Sequence, residues 1–205
     1  MMKSAFGKSL LAIACGVVAM TSALAAVVPS SDTIWFQGSL PAGAQPQVNA
    51  ANCWQEPWTW VTDNPKPFSG SAASQSTTLA GFHQHYFVNA SKTITVDPGG
   101  SLVVYVYLDP TATPTEVAVS WSDSAAPWDF KHRAFWGADS LASNDPVGSP
   151  DHFRVGDLPA AGKWVRLEVP ASKVGLEGKT INGIALAQCD GKTTWDHIGY
   201  TNPAN

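Results

Sequence analysis

The sequence predicts an all-β protein built as an antiparallel β-sandwich. Three observations favour this class. Several short segments alternate apolar and polar residues with a period of two, as half-buried strands do, and turn-forming residues separate them. No segment repeats its apolar residues as clearly at the spacing of a helix. A chain of 205 residues is also long enough for one domain with a sizeable core.

The C-terminal third contains the clearest strands. Trp164–Val169 alternates strictly, and Pro170 ends it because proline has no N–H group for the ladder. Thr180–Cys189 has apolar residues on both faces, so we expect it to be covered on both sides. Asp190-Gly191 predicts a two-residue hairpin that leads to the last strand, Thr193–Tyr200, because a type I′ turn needs positive φ twice.

The same alternation predicts shorter strands upstream. They are Ile34–Phe36, Phe82–Val88, Lys92–Val96, Leu102–Leu108, Val117–Trp121, His132–Gly137 and one around Phe153–Val155 within an otherwise polar loop. Residues 45–76 are rich in Pro, Asn, Ser and Trp and have little regular period. We therefore expect a long loop or edge excursion there, and loops of this length are often functional.

The N-terminus predicts export. Residues 1–25 combine two lysines, an apolar run and the small-residue site Ala23-Leu24-Ala25, which is typical of a secretory signal peptide. Residues 26–33 would then be a leader and residues 34–201 a single domain. The alternative is a lipoprotein anchored at Cys15. The run is shorter than a comfortable membrane span of about 20 residues, so we expect a secreted bacterial protein, periplasmic or extracellular, without membrane insertion after cleavage.

Charge and cysteine content limit the partners. The chain has 12 basic and 16 acidic residues, and cleavage would remove Lys3 and Lys8 from the basic count. No basic run remains, which argues against nucleic acid as a partner. The mature chain keeps Cys53 and Cys189. In an oxidising compartment a lone pair of cysteines more often forms a disulfide than stays free.

Several segments together resemble a bacterial extracellular jelly-roll module. They span about Ile34 to Gly199 and read WFQGSLPAGA, HQHYF, VYVYLDP, HRAFWGADS, GKWVRLEVPASKVGLEGKTINGIA and DGKTTWDHIG. The family is similar to LamG-like and carbohydrate-binding-like sandwiches of large secreted proteins, including planctomycete cytochrome-c-type ones. The resemblance implies a jelly roll of the galactose-binding or concanavalin-like kind. One departure is that Gln37 and Gly38 stand where we expect an acidic pair, which weighs against an ion site there.

Three tryptophans of the long loop are one candidate binding site. Trp54, Trp58 and Trp60 surround Glu56, and indole faces suit the C–H-rich faces of sugar rings because they combine a large apolar surface with a polar edge. The alternative is a loop packed under its own aromatic residues.

A second candidate is the strand face opposite the predicted core. Aromatic platforms interleaved with hydrogen-bonding groups suit a ligand surface on a jelly-roll sheet. The residues that we expect on this face are His83, His85, Tyr105, Tyr107, Asp109, Ser120, His132 and Trp136. Trp136 shares a side with His132 and should be exposed, whereas Phe135 should belong to the core. The alternative is a second layer of loop that covers this face.

Metal binding has weaker support. His83 and His85 lie two residues apart, so with His132 they could hold a metal, and a hydrogen-bonded structural pair is the alternative. Asp109, Asp190 and Asp196 lie at strand ends or in turns, where calcium sites of jelly rolls are often found. Structural calcium is therefore the candidate ion.

The sequence carries no signature of an enzyme. It has no G-x-S-x-G elbow, no P-loop and no H-E-x-x-H motif. We therefore expect a secreted, non-catalytic module that binds carbohydrate of the environment or the cell envelope. Two alternatives stay open. One is a structural or adhesive envelope protein that binds another protein. The other is a small polysaccharide lyase that binds and cleaves its substrate with histidine, tyrosine and arginine side chains, for which the candidates are His83, His85, Tyr105, Tyr107 and Arg133.

Overall fold

The computed structural model describes residue 1 and residues 32–48, 54–126, 128–141 and 143–203. The predicted signal peptide, residues 1–25, lies outside the described residues apart from Met1, as do residues 26–31 of the leader and Cys53. No helix in the described ranges is long and apolar enough to cross a membrane.

The described residues form thirteen strands and a short 3₁₀ helix. The strands are β1 (Thr33–Phe36), β2 (Gln45–Gln47), β3 (Thr59–Val61), β4 (Ala73–Gln75), β5 (Phe82–Val88), β6 (Ile94–Thr95), β7 (Ser101–Leu108), β8 (Glu116–Asp123), β9 (His132–Gly137), β10 (Phe153–Gly156), β11 (Trp164–Pro170), β12 (Thr180–Cys189) and β13 (Thr193–Thr201). The 3₁₀ helix, Ala171–Val174, follows Pro170 directly. All ten predicted strands are therefore present, with ends that differ by a few residues.

The strands form two sheets that pack face to face. The first sheet has the order β11-β7-β13-β4-β3, with β1 also on β13, and the second has the order β10-β9-β8-β12-β5-β2, with β6 also on β12. Among these strands only β9 and β10 pair in parallel. The predicted antiparallel β-sandwich is confirmed.

The core lies between the two sheets and is apolar. Val104 and Val106 of β7 and Val119 and Trp121 of β8 belong to it, as their alternation predicts, together with Trp195 of β13. All five are at most 2% exposed. Burial of a large apolar side chain stabilises a fold by about 1.5–3 kcal/mol, so these alternating residues hold the two layers together.

The turn at Asp190-Gly191 has the predicted backbone but a different role. Both residues have positive φ, 62° and 69°. The strands on either side do not pair with each other, because β12 lies in the second sheet and β13 in the first. The prediction of a hairpin is therefore wrong. The turn carries the chain from one sheet to the other, and the N–H of Asp190 donates to the carbonyl of Gly81 at 2.8 Å.

Residues 45–76 contain more regular structure than the sequence predicts. Three short strands occur there: β2 on the edge of the second sheet, and β3 and β4 in the first. Each is three residues long, which is too short to establish a recognisable period of two. The segment therefore extends both sheets at their edges, which agrees with the predicted edge excursion and not with the long loop.

Both faces of β9 are buried, which corrects the predicted roles of its aromatic residues. Trp136 lies in the core between the sheets and is 6% exposed, so the prediction of an exposed Trp136 is wrong. Phe135 lies on the outer face, where Leu141 and the ring of His152, 5.2 Å away between centroids, pack against it. The chain after β9 folds back over that face and buries Phe135 as well.

Candidate functional site

The outer face of the second sheet carries a strip of small side chains. Ala118 and Ser120 of β8 pair in register with Ala187 and Ala185 of β12, and all four face away from the core. Larger side chains stand on both sides of the strip, on β5 and on β9. A groove lies over this part of the sheet, and we call it the outer groove. Its floor is closely covered, because the four small residues are at most 8% exposed and Phe135 and Leu141 pack against Ala118 and Ala187.

One wall of the outer groove comes from β5. Phe82, Gln84 and Tyr86 alternate with buried residues and lie on the outer face. Phe82 is 41% exposed, and its ring stacks on Trp54 with centroids 5.7 Å apart. The hydroxyl of Tyr86 accepts a hydrogen bond from the side-chain amide of Gln55 at 3.1 Å. This wall therefore presents an aromatic face beside hydrogen-bonding groups.

The segment that supports this wall is fixed by backbone hydrogen bonds. The N–H of Gln84 donates to the carbonyl of Trp54 at 2.7 Å, and the N–H of Glu56 donates to the carbonyl of Gln84 at 2.8 Å. Trp54 is thereby tied to β5 directly beside Phe82. A paired aromatic platform that is held in this way loses little conformational freedom when a ligand binds.

The opposite wall comes from β9 and the loop after it. Arg133 and Phe135 stand on β9, and Ser140 and Leu141 follow in the loop. The buried carboxylate of Glu116 accepts the backbone N–H groups of Ser140 at 2.5 Å and Leu141 at 2.9 Å. Burial raises the pKa of Glu116, and these two hydrogen bonds oppose the rise. Glu116 therefore fixes this wall of the groove.

Two cavities meet at Arg133. One, of about 370 Å³, is lined by Phe82, Arg133, Ser140 and Leu141 and so spans the outer groove from wall to wall. The other, of about 380 Å³, is polar and is lined by Lys131, Arg133, Ser143, Asn144, Asp145 and Asp151. A concave site with an aromatic wall and a few polar groups has the general form of a small-ligand site.

The residues predicted for a single ligand face lie in three different places. Ser120 is on the outer face of the second sheet, whereas Tyr105 and Tyr107 are half-buried on the outer face of the first. His83 and His85 are fully buried inside the sandwich. The predicted shared face is therefore wrong, because the strands that carry these residues belong to two sheets.

The buried histidines contact polar groups inside the protein, although Nδ1 of His85 has no hydrogen-bond partner among the described residues. His83 contacts the carboxylate of Glu56 through its Nδ1, and Nε2 of His85 lies 3.3 Å from the hydroxyl of Ser74. His132 faces inward too, with Nδ1 2.6 Å from the carbonyl oxygen of Val174. These contacts match the structural pair that the sequence analysis gave as the alternative for His83 and His85.

The outer face of the first sheet is partly covered by a loop. Phe68 stacks on Tyr105 with centroids 3.8 Å apart, and the indole N–H of Trp164 donates to the carbonyl of Lys66 at 2.9 Å. Tyr107 packs edge-on against Trp164 at 5.9 Å. Tyr105 and Tyr107 therefore serve to hold residues 66–68 against this sheet.

The three tryptophans of the predicted loop site have different surroundings. Trp58 and Trp60 stack on each other, with centroids 6.0 Å apart, and both pack against the main core. The indole N–H of Trp58 also donates to the carbonyl of Tyr86 at 3.3 Å. Trp54 alone of the three stacks on a wall of the outer groove.

The three aspartates proposed for calcium do not form a site together. Burial raises the pKa of Asp109, but hydrogen bonds from Lys192 and Thr111 outweigh this effect and lower the pKa to about 2. Asp190 accepts the N–H of Gly81 at 2.8 Å, and Asp196 accepts the N–H of Ser69 at 2.9 Å. Within the described residues, no three His, Cys, Asp or Glu side chains come together as metal ligands.

Most of the residues that form the outer groove were missed by sequence reasoning. The alternation of β5 was predicted correctly, but the face with His83 and His85 was taken as the ligand face instead of the face with Phe82 and Tyr86. A usable signal was present. Ala118, Ser120, Ala185 and Ala187 are small residues that alternate with large apolar ones in adjacent strands.

The comparisons with known proteins describe the fold alone. No family model and no curated protein matches the chain. Similar solved structures include carbohydrate-binding modules of the β-sandwich superfamily with promiscuous specificity (TM-score 0.45, 12% identity, 84% of this chain and 63% of that one). They also include a family 11 carbohydrate-binding module of a Clostridium thermocellum cellulase (0.42, 10%, 85% and 95%) and a Streptococcus pneumoniae glycoside hydrolase domain (0.43, 13%, 77% and 21%).

These matches leave the ligand open. The chain spans less than two thirds of the first and the last of the three structures. All three identities are at most 13% and all three TM-scores are below 0.5, so no argument about function rests on them. They agree with the β-sandwich class and do not test the LamG-like resemblance or the planctomycete context, which stay expectations from the sequence.

Proposed function

We propose that the protein is a secreted, non-catalytic module that binds carbohydrate in the outer groove. The observation that carries the proposal is the exposed ring of Phe82, which is stacked on Trp54 and stands beside the strip of small side chains. A sugar ring stacked on Phe82 would rest its C–H face on the aromatic surface. Gln84 and Tyr86 lie further along the same face of β5, and Arg133 lines the same cavity as Phe82, so hydrogen-bonding groups are available along the groove.

Glycan-array screening followed by calorimetry tests this function. We expect the wild type to bind at least one oligosaccharide, with or without added calcium. Phe82→Ala should weaken that binding at least about tenfold, or about 1.4 kcal/mol, because it removes the aromatic platform. Since the side chain is 41% exposed, the thermal stability should change little.

Phe68→Ala is the matched control. Phe68 is 42% exposed, almost the same as Phe82, but lies on the outer face of the first sheet. This variant should bind as the wild type does. Loss of binding in Phe68→Ala with none in Phe82→Ala would move the site to the first sheet, and a wild type that binds no glycan would contradict the function itself.

A further inference from the structure

Arg133 differs from the other two arginines of the chain. Arg154 forms an ion pair with Asp157 at 3.0 Å, and Arg166 forms one with Asp32 at 2.8 Å. Within the described residues, Arg133 has no carboxylate oxygen within 4.0 Å of its guanidinium. It is also half-buried, whereas Arg154 is exposed. The one arginine without an ion pair therefore stands in the wall of the outer groove.

The guanidinium of Arg133 is incompletely hydrogen-bonded. Its Nε donates to the backbone carbonyl of Asp151 at 3.0 Å, which fixes the plane of the group. Its Nη2 is buried and has no partner among the described residues. A buried donor without an acceptor is costly, and more so when it carries charge. Arg133 nevertheless lines two cavities, so a ligand there can reach the accessible part of its guanidinium.

The neighbouring carboxyl groups form no close ion pair with Arg133 within the described residues, although Asp145 and Asp151 line the same polar cavity. The carboxylate of Asp151 accepts a hydrogen bond from the hydroxyl of Ser143 at 3.4 Å. Burial, and then its neighbour Asp145, raises the pKa of Asp151, and burial raises that of Glu116. The positive charge of Arg133 acts in the opposite direction and lowers the pKa of both Asp151 and Glu116. Lys131 lines the polar cavity beside Arg133 and adds a second positive charge, which is paired with Asp129 only at 3.7 Å.

We propose that Arg133 selects a carboxylate-bearing sugar, so that the ligand of the outer groove is an acidic glycan. This inference rests on the proposed function and names its substrate class. A guanidinium binds a carboxylate through two parallel N–H···O hydrogen bonds, a geometry that an ammonium group cannot reproduce. With Nε engaged and Nη2 buried, a ligand carboxylate would meet the part of the guanidinium that lines the cavity. Phe82 lines the same cavity, so one sugar unit could stack while its carboxylate meets Arg133.

Matched ligand pairs test the inference. Oligomers of galacturonic acid, of alginate and of hyaluronan are each compared with their carboxyl-methyl-ester forms, which keep the sugar chain and remove the charge. We expect the wild type to bind at least one acid form about tenfold more tightly than its ester. The preference should shrink as salt is added, because part of it is electrostatic.

Three variants assign the preference to Arg133. Arg133→Gln should bring the affinities of acid and ester to within about threefold of each other, and Arg133→Lys should keep only part of the difference because it retains the charge and loses the planar group. Arg154→Gln, which removes an ion-paired arginine of β10, should behave as the wild type does. Circular dichroism and thermal melting confirm that each variant is folded.

The outcomes separate this inference from the proposed function. Equal binding of acid and ester by the wild type, or a full preference retained in Arg133→Gln, would overturn the role of Arg133. Binding of neutral glycans alone would also overturn it while leaving carbohydrate binding intact. Failure to bind any glycan, acidic or neutral, would overturn both.

Discussion

The indole of Trp54 stacks on the ring of Phe82, with their centroids 5.7 Å apart. Phe82 pairs across the strands with Cys189, so the residue that follows Cys53 lies near the strand end that carries Cys189. Cys53 itself is outside the described residues. We predict that a disulfide joins Cys53 and Cys189 in the exported protein. Mass spectrometry with and without reduction should show a two-proton difference, and two freely alkylated thiols in the native protein would refute the bond.

Replacement of Gly191 should destabilise the fold. Gly191 has a φ of 69°, and an added Cβ would lie 2.3 Å from the carbonyl oxygen of Ala112 and 2.6 Å from the nitrogen of Pro114. Gly191→Val therefore combines backbone strain, about 1–3 kcal/mol, with a clash against backbone atoms that cannot move away cheaply. Denaturant unfolding should show a large loss in the free energy of unfolding.

Gly178→Val separates these two contributions. Gly178 has the same φ of 69°, but nothing lies within 4 Å of its added Cβ. This variant should carry the strain alone and be the more stable of the two by about 1–3 kcal/mol, the usual cost of overpacking. Equal stabilities for the two variants would show that the turn at Gly191 can move away from Ala112.

Truncation of either aromatic residue of β9 should unfold or strongly destabilise the protein. Trp136 is 6% exposed and Phe135 is 1% exposed, on opposite faces of the strand. Each change to alanine should cost about 3–5 kcal/mol. Thermal or chemical denaturation would measure the loss, with Phe82→Ala as the exposed control. A Trp136→Ala variant as stable as that control would mean that Trp136 faces solvent.

Acid should destabilise the protein through His85. Burial, the largest cause, lowers the pKa of His85 from its ordinary 6.5 to about 4, while Glu56 opposes the shift and His83 adds to it. Between these values the unfolded chain binds a proton that the folded protein rejects. The contribution of His85 to the free energy of unfolding is therefore fully present above about pH 6.5. As the pH falls towards 4, about 3 kcal/mol of this free energy is lost.

His85→Gln tests the assignment, because glutamine does not titrate. Denaturant unfolding at several pH values between 7 and 4 should give a steeper fall in the free energy of unfolding for the wild type than for this variant. The difference between the two proteins isolates His85 from the other titrating groups. Parallel curves would mean that His85 is protonated in the folded state.

The strands could be predicted because alternation is a local property. The predicted patterns of β5, β7 and β11 each occupy at least six consecutive residues, and each correctly indicated which of its residues share a side. The faces of whole sheets could not be predicted in the same manner. Whether His83 points into a core depends on which distant strands lie beside β5, and that pairing leaves no mark within β5 itself.

The turn at Asp190-Gly191 was also predictable in its local backbone but not in its place in the fold. Asp190-Gly191 specifies positive φ at both positions, and the backbone obeys. The same two conformations can return a strand beside its predecessor or send it to another layer. The choice depends on the competing partners of β12, which is already paired with β5 on one side and β8 on the other. The groove was missed for a related reason, since its floor comes from two strands far apart in the chain.

The last two strands are central ones. β12 separates β8 from β5 in the second sheet, and β13 separates β7 from β4 in the first. Neither layer can be completed until β12 and β13 have been synthesised, so a growing chain holds only unjoined halves of both sheets. Such pairing between distant segments slows folding. A protein built in this order stays open until these two strands are made, which would suit the export that residues 1–25 predict.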